Sequence, residues 1–158
     1  MRTSEKTGDL LVKVGLAAGA YFLVVVPVLQ ALGLKEDAAD RLVNDAEAGN
    51  LPGGNPWLPN YWKTARCSSV IDAMTAKSYA QKIYDAFGFF GDDETAVIAV
   101  FRGLRTKCDV SRIADEFAME YDGDLFGYIK SGSTGSGFWG GLSTEDLAKV
   151  VQIVNGLK

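Results

Sequence analysis

The chain has 158 residues, with 16 Lys or Arg against 20 Asp or Glu for a net charge of −4, and no histidine. That length suits one domain with a small appendage, and an acidic balance without a basic run excludes nucleic acid as the main partner. Lack of histidine removes the commonest general base, zinc ligand and pH switch together, and any Ser-His or Cys-His nucleophile with them.

Residues 14–34, VGLAAGAYFLVVVPVLQALGL, carry no charge. As a helix they would run about 31 Å at about 1.5 Å per residue, the thickness of a bilayer's hydrocarbon core. Ala17, Leu23, Val24, Val25, Val26 and Leu29 would cover every side of that helix, unlike the one-sided stripe of a soluble helix. A cleaved signal peptide competes, with Lys6 and Lys13 as its basic start and Ala31-Leu32-Gly33 as a small-x-small site. We read the segment as a retained transmembrane helix, residues 1–34 forming tail and anchor. Pro27 removes one backbone hydrogen bond and kinks the helix, and Gly15 with Gly19 forms a G-x-x-x-G face on which another membrane helix or a second copy can pack. Arg2, Lys6 and Lys13 bias the N-terminus toward the cytoplasmic side.

Residues 35–68 read as a short amphipathic helix and a linker. Leu34, Ala38, Leu42 and Ala46 fall on one stripe of LKEDAADRLVNDAEAGN. NLPGGNPWLPNYWK follows, where prolines and paired glycines break helix and strand alike. Trp57, Tyr61 and Trp62 in this stretch can sit at the lipid interface, contact a partner, or fold back on their own domain.

From residue 69 to 158 five helical patterns follow one another, so the class is all-α. The first, VIDAMTAKSYAQKIYDAFGF, places Ile71, Met74, Tyr79, Ile83 and Phe87 on one broad face and stops at Gly88. The second begins after Asp92 or Asp93, whose carboxylates suit a helix N-terminus, and carries Val97, Ile98, Val100, Phe101 and Leu104. Thr106 or Asp109 opens the third, with Val110, Ile113, Phe117 and Tyr121; DLFGYIK makes a short fourth after Gly123. STEDLAKVVQIVNGL opens on Ser143 and Asp146 and ends at Gly156. Between the last two, SGSTGSGFWGG is a flexible insertion whose Phe138 and Trp139 can close on the core or touch a neighbouring subunit. It has neither the Lys-Ser/Thr nor the preceding strand of a phosphate loop.

AFGFFGDDETAVIAVF, GLRTKCDVSRIADEFAMEYDGDL and LAKVVQIVNGL together resemble one annexin-type repeat over residues 74–158, in a single copy. The resemblance implies a calcium site in a glycine turn completed by a distant carboxylate, but Phe89 and Asp92 stand where that turn needs glycine and threonine. The distant carboxylate would fall near Ser131 and Gly132, which supply no acid, and calcium needs six to eight oxygens. GDDE therefore reads as a helix start, and no metal or other cofactor is expected.

Cys67 and Cys108 form no C-x-x-C motif, which leaves one disulfide or two buried thiols open. Asp115, Glu116, Glu120 and Asp122 read as solvated helical charges, and no acid, base and nucleophile converge, so catalysis is not expected. The functional expectation is a single-pass structural protein joining a lipid membrane to a protein lattice or larger assembly. LVVVPVLQALGLKEDAADRLV with NPWLPNYWK looks like small membrane-anchored proteins of bacteriophages with an internal lipid layer, which implies a minor capsid protein at the virion's internal membrane. A bacterial envelope adaptor binding a protein or lipid headgroups at the inner membrane is the alternative, with a holin-like lytic protein behind it.

Overall fold

A computed structural model describes residues 36–88, 91–132 and 140–158. Among these residues the helices are α1 Glu36–Glu47, α2 Tyr61–Thr64, α3 Ala73–Ala86, α4 Glu94–Arg102, α5 Lys107–Tyr121, α6 Leu125–Ser131 and α7 Thr144–Gly156. An antiparallel ladder of two residues per strand, β1 Phe87–Gly88 with β2 Gly91–Asp92, pairs Phe87 with Asp92 and Gly88 with Gly91 to close the α3–α4 connection. The described protein is all-α, and the five helices expected after residue 69 are all present.

Each of these five helices starts on a side chain that satisfies a free backbone N–H of the first turn. Asp72 accepts from Thr75, Asp93 from Ala96, Thr106 from Asp109, Asp124 from Gly127 and Ser143 from Asp146. At the start of α5 the bond is reciprocal, a capping box of Thr106 and Asp109. Such caps contribute about 1 kcal/mol each, enough to fix where short helices begin.

Helix α5 is the axis of the core. Val110, Ile113, Ala114 and Phe117 are buried along it, and Ile83, Val97, Phe101, Leu125, Ile129, Val150, Val151 and Val154 from the surrounding helices join the same cluster. One expected core residue is misplaced: Met74 is 84% exposed, and α3 buries Ala76, Ala80, Ile83 and Ala86 instead. Nine positions at about 100° each put Met74 on the side of α3 opposite Ile83. On α1 the expected stripe holds at Leu42, packed on the core, and Ala46, buried in it, whereas Ala38 is exposed and Ala39 and Val43 widen the buried face instead.

The compact unit runs from Ala39 to Lys158, thirty residues further toward the N-terminus than the boundary placed at residue 69. Its N-terminal part is not a free linker, because Val43, Ala46, Leu51 and Trp57 all belong to the core cluster. Lys130 on α6 also pairs with Glu47 at 2.7 Å, fastening the end of α1.

No helix among the described residues is long and apolar enough to cross a membrane. Residues 14–34, with Gly15, Gly19 and Pro27, lie outside the described residues, as do Phe138 and Trp139. On either side of residues 133–139 the chain returns to one place. Leu142 N donates to Ile129 O at 2.9 Å, and a Cβ on Gly141 would stand 2.2 Å from the carbonyl carbon and oxygen of Lys130. Only glycine fits position 141.

Candidate interaction surface

Residues 50–68 form a strap laid on α5, and the prolines and glycines that rule out helix here are what shape it. Gly53 and Gly54 have φ of 82° and 104°, backbone that glycine adopts without steric cost. A Cβ on Gly54 would also meet the Tyr61 ring at 2.7 Å, while the Tyr61 hydroxyl donates to Gly53 O at 2.7 Å. Lys107 Nζ donates to Pro52 O, so a buried lysine holds the same turn from the first residue of α5.

The three aromatics of the strap have different roles. Trp57, 3% exposed, is an inward anchor, its ring 4.9 Å from Phe126 and 5.6 Å edge-on to Phe101. Its indole Nε1 is buried with no hydrogen-bond partner among the described residues. Tyr61 is half-buried over its own turn. Trp62 is half-buried against α5 and joins a polar cluster there.

That cluster centres on Asp115, whose carboxylate accepts from Trp62 Nε1 at 3.1 Å, Lys63 Nζ at 3.2 Å and Arg112 Nη1 at 3.1 Å. Arg112 lies 4.5 Å over the Trp62 ring and also pairs with Glu116 at 2.7 Å. Ser111, one turn earlier, donates to Leu58 O at 2.5 Å and accepts from Trp62 N at 3.0 Å. Asp115 and Glu116 are therefore not solvated charges, which corrects the sequence expectation. A four-residue spacing puts Ser111 and Asp115 on one line of α5, and the strap's donors consume both.

Asp109 does the same at the start of α5. It is buried and accepts from the N–H groups of Ile71, Arg105 and Thr106 at 3.0, 3.0 and 2.9 Å, so its charge is distributed over three dipoles. Beside it Cys67 and Cys108 are joined as a disulfide, their Cα atoms 6.3 Å apart. The pairing that composition left open is thus made, and it ties the end of the strap to α5.

At the other end of α5 the aromatic rings gather. Tyr84 and Tyr121 stack at 4.0 Å with 5° between planes, Tyr128 stacks on Tyr84 at 5.4 Å, and Phe117 packs beneath. Partial burial, with Asp85 and Glu120 nearby, raises the Tyr121 phenol above its ordinary value. Lys77, pairing with Glu120 at 2.7 Å across α3 and α5, is raised by that hydrogen bond and charge. Asp72 is lowered by the backbone and hydroxyl of Thr75, and Asp146 by Lys149 and Ser143.

In the acidic turn, Asp93 Oδ1 accepts from Ala96 N at 2.9 Å, and its own N–H donates to Ala86 O at 2.9 Å. Asp93 thus has a complete structural use. Among the described residues no group of acidic, cysteine or histidine side chains is placed to hold a metal ion. What the arrangement offers is a capped, cross-linked surface on which the strap is fixed to α5. No protein-family model, curated protein or solved structure matches this chain.

Of the residues expected at an interface, Trp57, Tyr61 and Trp62 are brought together on the strap. Ser111, Asp109 and Asp115, which hold it, were missed from the sequence. The available signal was Trp62, since an indole N–H near a core needs an acceptor.

Proposed function

We propose that this chain is a single-pass membrane protein whose helical domain links a lipid bilayer to a protein assembly. One observation carries the reading: an uncharged stretch of bilayer length ends two residues before the first residue of α1, and α1 is built into the domain's core through Val43 and Ala46. Caps, disulfide and strap give the domain the rigidity a structural link needs, and its described surface gathers no catalytic set.

The particular form we favour is a minor capsid protein at the internal membrane of a lipid-containing bacteriophage, with the bilayer, other membrane helices and a protein lattice as its partners. The disulfide supports a domain exposed to an oxidising compartment, with Arg2, Lys6 and Lys13 on the opposite face of the membrane.

The test is reconstitution of the full chain into vesicles, flotation, and an alkaline carbonate wash. The wild type should float and resist the wash. V24D/V25D, at the middle of the segment, adds about 5–7 kcal/mol to insertion and should release the chain. A wild-type chain removed by carbonate would refute the anchor.

A further inference from the structure

Several exposed charges of the domain stand outside its ion pairs. Lys63, Lys77, Arg112, Lys130 and Lys149 each pair with a carboxylate. Arg66, Arg102 and Arg105 are exposed, and their guanidinium groups have no partner among the described residues. All three lie around the start of α5. Arg66 adjoins the Cys67–Cys108 bond, Arg105 is two residues before Lys107, and Arg102 closes α4 three residues earlier. Lys158 joins them, because its carbonyl accepts from Lys107 N at 3.0 Å. Of the acids at this end, Asp109 is buried beneath three N–H groups, and Asp72 is exposed and caps α3 through Thr75.

The opposite end of α5 carries the reverse. Stacking of Tyr84 on Tyr121 brings the end of α3 to the end of α5, and the Asp93–Ala86 bond brings the start of α4 there too. Asp85, Asp93, Glu94 and Asp122 gather at that end and outnumber the exposed Lys82 one turn before Asp85; Asp85 accepts from Gln81 and Asp93 from Ala96 N, and none of the four acids pairs with a cation among the described residues. The 15 residues of α5 separate the two ends by about 21 Å, twice the screening length of about 10 Å at 0.1 M salt. Each end therefore acts on its surroundings as a separate patch.

We infer that the domain associates head to tail with a second copy of this chain, the cationic end around Arg102 and Arg105 docking on the acidic end around Asp85 and Glu94. An anionic bilayer would use only the cationic patch and leave the acidic one unanswered, whereas a second copy uses both. Such a contact is heterologous, so it extends into a row or closes into a ring, the form of contact a lattice component needs. The inference rests on the proposed structural role only in taking the assembly to contain copies of this chain.

The experiment is a charge swap on the full chain in nonionic detergent, read by analytical ultracentrifugation at 20 mM and 1 M salt. Wild-type chain should associate at low salt and dissociate at high salt. R102E/R105E alone and D85K/E94K alone should each weaken association at least tenfold. Their equimolar mixture should restore it, since each variant then meets an opposite charge at both ends. Circular dichroism confirms that the variants are folded, and R102Q/R105Q with D85N/E94Q supply milder versions if a reversal unfolds the chain. Association unchanged by either reversal, or a mixture that stays dissociated, overturns the inference. So does loss of binding to anionic vesicles by R102E/R105E without any effect on self-association. Flotation of the same chain reads the anchor separately, so a chain that self-associates but does not float would reject the membrane role and leave this contact standing.

Discussion

Reducing the Cys67–Cys108 bond perturbs the domain where the strap meets α5. Its two cysteines are 41 positions apart, so in the chain-entropy treatment the cross-link removes about 13 cal/mol/K from the unfolded ensemble, or about 4 kcal/mol at 25 °C. Against a typical stability of about 5–15 kcal/mol that is a large share. At about 3–5 °C per kcal/mol for a unit of this size, Tm should fall by roughly 12–20 °C. The native fold should survive at low temperature, because Asp109, Ser111 and Asp115 hold the same segment by hydrogen bonds. Urea unfolding followed by circular dichroism, with and without reductant and on C67S/C108S, measures the change. Thiol titration of the denatured, unreduced chain should find no free thiol. Two free thiols, or a loss below about 1 kcal/mol on reduction, would refute the reasoning.

Trp57→Ala empties a slot walled by Phe101 and Phe126 and should cost about 3–5 kcal/mol in urea unfolding; a cost under about 1 kcal/mol would show that the strap is not part of the core. Asp115→Ala removes the acceptor of three donors, but Lys63 is half-exposed and Arg112 keeps Glu116, so the expected loss is about 2 kcal/mol. Combining it with Trp62→Phe should show a coupling of about 1 kcal/mol in a double-mutant cycle, and additivity would contradict the indole bond. Asp72 and Asp146 both lie below 3.8 in the folded protein. Their contribution is therefore complete above that pH and lost as pH falls through the lowered values. Between pH 5 and pH 2 the wild type should lose more Tm than D72N/D146N, and equal losses would count against those bonds.

Helix starts were legible in the sequence because a cap is a local device: Asp93, Thr106 and Ser143 each sit three residues before the N–H they accept from. The strap was harder to read. Proline and glycine report only that the backbone cannot be helical, while the burial of Trp57 depends on rings from α4 and α6. Asp115 looked solvated because its partners come from a segment more than fifty residues earlier. Met74 was misassigned by counting a face too broadly, since a helix nine residues on presents its other side. Cysteine spacing alone could not choose between bonded and free thiols, and the choice needed the strap's path along α5.

Extraction with chloroform of the lipid-containing virion proposed for this chain tests the central claim most directly. The account predicts that this chain leaves with the lipid fraction, or at the interface with it, and that cross-linking beforehand retains it with a protein shell in fixed stoichiometry. A chain that stays in the lipid-free shell without cross-linking would show that residues 14–34 are buried among protein subunits, and would contradict the membrane anchor.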